Sequence, residues 1–331
     1  MRFWWVLPVG LVSGSAWGDS VPTRVLFVGN SYTAFNGPDS LEVSIQRLLE
    51  EHAGPSETVF AKHTVGGATL PQHLASAENG NLKTTLEEGW DVVVLQDQSQ
   101  VPGFPETNTD WQASRDAAVA LAALAFESGA ETRLFLTWGR ENGDPQNSER
   151  YPDYATMQNH LTQGYQAYAE AIRDAGYPVE VVEVGEIWRS VHTGLVESGV
   201  SPVEGDTLFT RLYLNDGSHP APHGTYLAAT AFFTALTGES PVGLDWAHDG
   251  ISEEDKEAIQ KAAEAFLPPE PEDSSPEETA EPSEDTEVSE APGADCGCES
   301  GPNPTRLAWL PLLALASLMG RRRGPETVQS R

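Results

Sequence analysis

A serine, an aspartate and a histidine stand in this 331-residue chain with the types and spacing that acyl-transfer chemistry needs. Ser31 lies in Gly29-Asn30-Ser31-Tyr32-Thr33, one step past the apolar run Val25-Leu26-Phe27-Val28. A run of that kind reads as a buried parallel strand, and a serine just beyond it sits on a strand-to-helix turn with its hydroxyl at the carboxyl edge of the sheet. Asp216-Gly217-Ser218-His219-Pro220, far along the chain, places a carboxylate and an imidazole three residues apart, so a tight turn can orient one with the other. Nucleophile, base and orienter are then all present: Ser31, His219 and Asp216. His223 competes for the base role, but Pro220 closes the turn that carries His219. Taken alone, Ser31 also suits a helix N-cap, and Asp216 also suits a capped turn.

Acyl transfer to water further needs donors aimed at the developing oxyanion. The N–H of Ser31 is one. Thr64-Val65-Gly66-Gly67-Ala68-Thr69-Leu70 follows a second candidate strand, and glycine there permits close backbone approach. Leu95-Gln96-Asp97-Gln98-Ser99 is a polar cluster at the mouth of the apolar strand Val92 to Leu95. Ligands of open α/β sheets bind at such carboxyl ends.

The elements that must position these groups alternate. Candidate strands are Arg24–Val28, Thr58–Lys62, Val92–Leu95, Arg133–Thr137 and Val179–Val184. Candidate helices are Ser40–His52, Thr109–Ser128, Tyr154–Ala175, Ala221–Leu236 and Glu253–Phe266. Strand alternating with helix predicts a doubly wound parallel sheet, a fold that by itself assigns no activity.

The order of the blocks resembles the SGNH (GDSL-like) hydrolase superfamily over Thr23 to Leu236. Serine stands on the first turn, glycine after the second strand, an amide after the third, and Asp-x-x-His-Pro near the end. The resemblance implies a three-layer α/β/α flavodoxin-like domain and ester hydrolysis with no metal or other cofactor. It implies Ser31 as nucleophile, His219 as base and Asp216 as acid, with an oxyanion hole of Ser31, Gly67 and Gln98. Gly67 is preferred over Gly66 because Gly67-Ala68-Thr69 matches the Gly-x-Thr pattern. The amide block departs from the usual Gly-x-Asn-Asp, and Gln98 carries one methylene more than asparagine; Gln96 and Gln100 are alternatives.

Composition narrows the partners. The net charge is −31, and residues 22–267 hold 36 acidic against 13 basic side chains, or −23. Such a surface repels phosphate backbones, so nucleic acid is excluded as a partner and anionic polymers are disfavoured as substrates. Residues 1–18 read as a secretory signal, with Arg2, an apolar stretch from Phe3 to Val12, and Ala16-Trp17-Gly18 before the cut. Residues 22–267 form the expected hydrolase domain and contain no cysteine. Residues 268–300 carry twelve acidic and no basic side chains, the composition of an extended linker. Residues 301–331 follow Cys296-Gly297-Cys298 with an apolar segment, Leu307 to Gly320, and Arg321-Arg322-Arg323. This ending resembles the tripartite C-terminal sorting tails of myxobacteria and related bacteria. It implies export and retention at the cell surface or outer membrane, with a sorting protease or the membrane as partner; a plain transmembrane anchor is the alternative.

His63, His73 and His192 show no ligand spacing, and no metal site is expected. Tyr32, Trp138 and Arg140 are candidates for the substrate pocket, although a tryptophan also packs well beneath a loop. The expected activity is a serine esterase acting, as a monomer, on acyl (acetyl among them) esters of small molecules, polysaccharide or other extracellular substrates. A non-catalytic glycan-binding module and an acyltransferase are the alternatives.

Overall fold

Alternating side chains on the strands build two cores, one on each face of a single sheet. The computed structural model describes residues 21–34 and 40–267. Its strands are β1 (Arg24–Gly29), β2 (Val59–Thr64), β3 (Val92–Leu95), β4 (Glu131–Phe135) and β5 (Val179–Val182). All neighbours pair in parallel, in the order β2-β1-β3-β4-β5. That is the flavodoxin-like order, and its reversal beside β1 opens a crevice at the carboxyl ends of β1 and β3.

Val25, Phe27, Val92 and Val94 point into one core, while Leu26, Val28, Val93 and Leu95 point into the other. The first core is closed by α2 (Leu41–Ala53), α7 (Val184–Glu197), α9 (Pro222–Thr237) and α10 (Glu253–Glu264). The second is closed by α3 (Leu70–Asn79), α4 (Asn81–Leu86), α5 (Thr109–Glu127) and α6 (Tyr154–Asp174). Short helices α1 (Ser31–Ala34) and α8 (Leu208–Arg211) complete the set. Helix α9 is buried nearly all round because α2, α7 and α10 all pack on it. All described residues belong to one compact unit.

The structure is thus the expected three-layer α/β/α domain with a parallel sheet, but several bounds move. β4 begins at Glu131, and Leu136 and Thr137 lie beyond the ladder as buried extended chain, with Leu136 N–H donating to the Val182 carbonyl at 3.1 Å. β5 stops at Val182 because Val184 and Gly185 open α7, so the valine-rich stretch at 179–184 spans a strand and a helix start. Val184, Ile187, Trp188 and Val191 recur at helical spacing and all are buried, which is the signal that marks this helix. Helix α3 carries its own start signal, a capping box between Thr69 and Gln72. Among the described residues no helix is long and apolar enough to cross a membrane. The segments read as a signal, an acidic linker and a sorting tail lie outside the described residues.

Candidate active site

Asn30 ends β1 and turns the chain into α1. Its carbonyl accepts the N–H groups of Thr33 at 3.1 Å and Ala34 at 3.0 Å, and its Oδ1 accepts that of Tyr32 at 3.1 Å. Ser31 is thereby the first residue of a helical turn at the carboxyl edge of β1. The Asp216–His219 turn arrives from a short ribbon in which Tyr213 bridges Pro220 antiparallel. Leu214 N–H donates to the His219 carbonyl at 2.9 Å, and Gly217, at φ +64°, makes the reversal that a β-carbon would strain.

These two pieces meet. Ser31 Oγ lies 2.9 Å from His219 Nε2, and His219 Nδ1 lies 2.6 Å from Asp216 Oδ2. The other oxygen of Asp216 accepts the N–H groups of Ser218 and His219, each at 2.9 Å. Partial burial works to raise the Asp216 carboxyl, but the hydrogen bonds from the His219 side chain and from these two N–H groups outweigh it and hold it below the usual value. An ionised Asp216 requires Nδ1 to carry the proton, which leaves Nε2 as an acceptor toward Ser31 Oγ–H. His223 does not compete: its Nε2 lies 3.3 Å from Asp255 on α10.

Gly67 has φ +68°, is solvent-exposed, and its N–H meets no acceptor among the described residues. Its loop is tied to the nucleophile turn by Asn30 Nδ2, which donates to the Ala68 carbonyl at 3.1 Å. Gln98 is half-buried, and its amide closes a small turn: Oε1 accepts Gln100 N–H at 2.8 Å and Nε2 donates to Gln100 Oε1 at 3.1 Å. One amide hydrogen of Gln98 remains for a ligand. The two alternative glutamines are committed elsewhere. Gln96 is fully buried, its Oε1 accepting Asn30 N–H at 2.8 Å and Thr33 Oγ–H at 3.0 Å, its Nε2 donating to the Asp97 carbonyl. Gln100 Nε2 donates to Asp144 and to Gln146.

The pocket assignments change. Trp138 is 0% exposed and presents no wall to a substrate. It is the middle of a stack, 4.7 Å from the Tyr32 ring and 4.1 Å from Trp188, and its Nε1 donates to the Ser218 carbonyl at 3.0 Å. The stack exists because α7 delivers Trp188 under the end of β4. Tyr32 is buried as well; its hydroxyl lies 2.6 Å from Ser218 Oγ and its ring meets His219 edge-on at 5.6 Å. Burial raises the Tyr32 phenol above its usual value despite hydrogen bonding to Ser218 and the nearby Arg140 charge. Both aromatics therefore brace the histidine turn from below. Arg140 is half-exposed, and its charge is matched by Asp144 at 2.6 Å.

Asn30, Gln96 and Asp97 form a buried polar network that block-by-block reading of the sequence does not reveal; its only signal is polar residues packed at the ends of strongly apolar strands. His63 and His73 meet edge-on at 5.6 Å, while His192 packs against Tyr154 and Phe209. Among the described residues no group of three or more potential ligands is arranged to hold a metal ion.

No family model and no curated protein matches the chain. Solved structures do. A DUF4886 family protein from Bacteroides uniformis is similar at 18% identity over 73% of this chain and 93% of its own, with a TM-score of 0.56. A psychrotrophic esterase from Pseudoalteromonas is similar at 15% identity, covering 64% and 94%, with a TM-score of 0.43. An acetylxylan esterase from Geobacillus stearothermophilus, solved as a catalytic mutant, is similar at 13% identity, covering 69% and 97%, with a TM-score of 0.45. The first of these likenesses establishes a shared α/β fold.

Proposed function

We propose that the protein is a serine esterase of the SGNH type, with Ser31 as nucleophile, His219 as general base and Asp216 as its orienter. The observation that carries this reading is the continuous chain Ser31 Oγ–His219 Nε2 and His219 Nδ1–Asp216 Oδ2, at 2.9 Å and 2.6 Å. In the first half-reaction Ser31 Oγ bonds to the ester carbon while its proton passes to His219 Nε2. The tetrahedral oxyanion takes hydrogen bonds from Ser31 N–H, Gly67 N–H and the remaining Gln98 amide hydrogen. Collapse breaks the bond to the alkoxide, which leaves with the proton from Nε2. Water then repeats the sequence on the acyl-enzyme and releases the acid. Asp216 stays ionised throughout and stabilises the imidazolium.

The loops after β3 and β4 carry Gln98, Ser99, Arg140 and Glu141, a polar surround that favours a hydroxyl-rich alcohol over a lipid. The substrate class assigned here is an acyl ester, acetyl included, on carbohydrate. Residues 1–18 and 268–331 are assigned to export and to retention at the cell surface. Water is the assigned acceptor; the glycan-binding reading has no use for an oriented imidazole. Ser31→Ala tests the assignment: hydrolysis of p-nitrophenyl acetate and of acetylated xylan is expected to vanish with the melting temperature preserved. Undiminished turnover by that variant would remove Ser31 from the mechanism.

A further inference from the structure

Asp97 is a carboxylate that the reaction above does not use, and it is fully buried. Its Oδ1 accepts the N–H of Leu70 at 3.0 Å, at the start of α3, and the N–H of Gln98 at 2.8 Å. Its Oδ2 accepts the Tyr168 hydroxyl at 3.3 Å. Its own carbonyl accepts Asn30 Nδ2 at 3.3 Å and the Gln96 amide. One residue thus touches all three loops that follow β1, β2 and β3. Gly67 immediately precedes two anchors of the second loop, the Ala68 carbonyl held by Asn30 and the Leu70 N–H held by Asp97.

Among the described residues no cation pairs with this carboxylate. The titratable groups that meet it are the phenols of Tyr165 and Tyr168 on α6; His73 on α3, whose imidazole burial beside His63 lowers to about 4, makes no contact with it among the described residues. A buried charge without a cation is costly, and an amide of the same shape could accept the same two N–H groups at less cost. What the amide lacks is charge, and a charged acceptor holds N–H groups roughly twice as strongly. Both N–H groups that receive this extra strength belong to loops bearing an oxyanion donor.

Resting on the esterase reading, we infer that Asp97 is a positioning residue: it holds the Gly67 and Gln98 loops at the spacing the oxyanion requires, at the expense of fold stability. Burial pushes the Asp97 carboxyl up to about 6, against the hydrogen bonds from Leu70 and Gln98. A folded value above the unfolded one means that stability falls as pH rises from the ordinary carboxylate range through about 6. The charge is therefore a net burden on folding at neutral pH.

The test compares wild type, Asp97→Asn and Tyr168→Phe by fluorophosphonate labelling rate, melting temperature and amide hydrogen exchange, each from pH 5 to 9. Asp97→Asn is expected to label about 10–100-fold more slowly, since a displacement approaching an ångström costs that much. Its melting temperature at pH 8 should equal or exceed that of wild type, while exchange at Leu70 and Gln98 N–H becomes faster. Tyr168→Phe keeps both N–H bonds and should label within about threefold of wild type. The inference is overturned if Asp97→Asn labels at the wild-type rate. It is equally overturned if slow labelling comes with a fall in melting temperature that Tyr168→Phe reproduces, because that pattern marks a merely structural network. Wild type that takes no label contradicts the serine-hydrolase reading instead. Hydrogen exchange at Leu70 and Gln98 then still decides whether Asp97 fixes the loops: unchanged exchange in Asp97→Asn overturns it.

Discussion

Two histidine–aspartate pairs lie four residues apart, and only one of them faces a serine hydroxyl. His219 meets Asp216 at 2.6 Å within a single turn, and its other ring nitrogen faces the Ser31 hydroxyl. His223 meets Asp255 at 3.3 Å across two helices, and the same carboxylate also binds Arg211 at 2.8 Å. Among the described residues no lysine or arginine pairs with Asp216. The comparison teaches that a carboxylate beside an imidazole is not enough. Arg211 spends the field of Asp255, so burial prevails at His223 and lowers its value, although Asp255 opposes the shift. At Asp216 the opposing donors are two backbone N–H groups and the imidazole itself, which fix its direction without neutralising it.

The largest way to break the comparison is at Asp216. Asp216→Asn is expected to lower kcat by about 10⁴-fold with the fold intact, because an amide can accept at only one atom and leaves the wrong tautomer poised at Ser31. Steady-state kinetics on p-nitrophenyl acetate measures it, and a loss below about tenfold contradicts the role. His223→Gln should leave kcat within about threefold, with a stability loss of about 0.5–1.5 kcal/mol from the weakened Asp255 contact. Chemical denaturation and the same assay read both. The smallest effect sharpens the electrostatic claim: Arg211→Gln should raise the His223 value, seen as an upward shift in its NMR titration midpoint, without changing turnover.

The carboxylates also predict opposite pH signs. The Asp216 value is depressed, so its contribution to stability is present above the unfolded value and is lost as pH falls through the folded one. Asp97 is raised, so wild type loses stability relative to Asp97→Asn as pH climbs through about 6. Melting curves from pH 2 to 8 should therefore diverge from wild type in opposite directions with rising pH, Asp216→Asn downward in the range below the ordinary carboxyl value of 3.8 and Asp97→Asn upward through about 6.

What was legible in the chain, and what was not, follows the range of the interactions. The strand β1, the turn at Ser31 and the Asp216–His219 spacing are local, so periodicity and turn chemistry expose them. The alternation of strand and helix likewise suffices for a parallel three-layer domain. Of the two places open to Trp138, the pocket wall and packing beneath a loop, the structure shows the packed one, because Trp188 on α7, a helix absent from the expected set, stacks against it. The α3 and α7 helices were missed because each begins within a few residues of a strand end, inside one valine-rich stretch or beside glycines. The choice among three glutamines could not be made from sequence, since it depends on which amide Asn30 and Asp144 already engage.

The central claim is that Ser31 is the activated hydroxyl of this chain. Reaction with a fluorophosphonate followed by peptide mass spectrometry tests it most directly. A single adduct on Ser31, abolished in His219→Ala, is the predicted result; no adduct, or one on Ser99 or Ser218 instead, would contradict it.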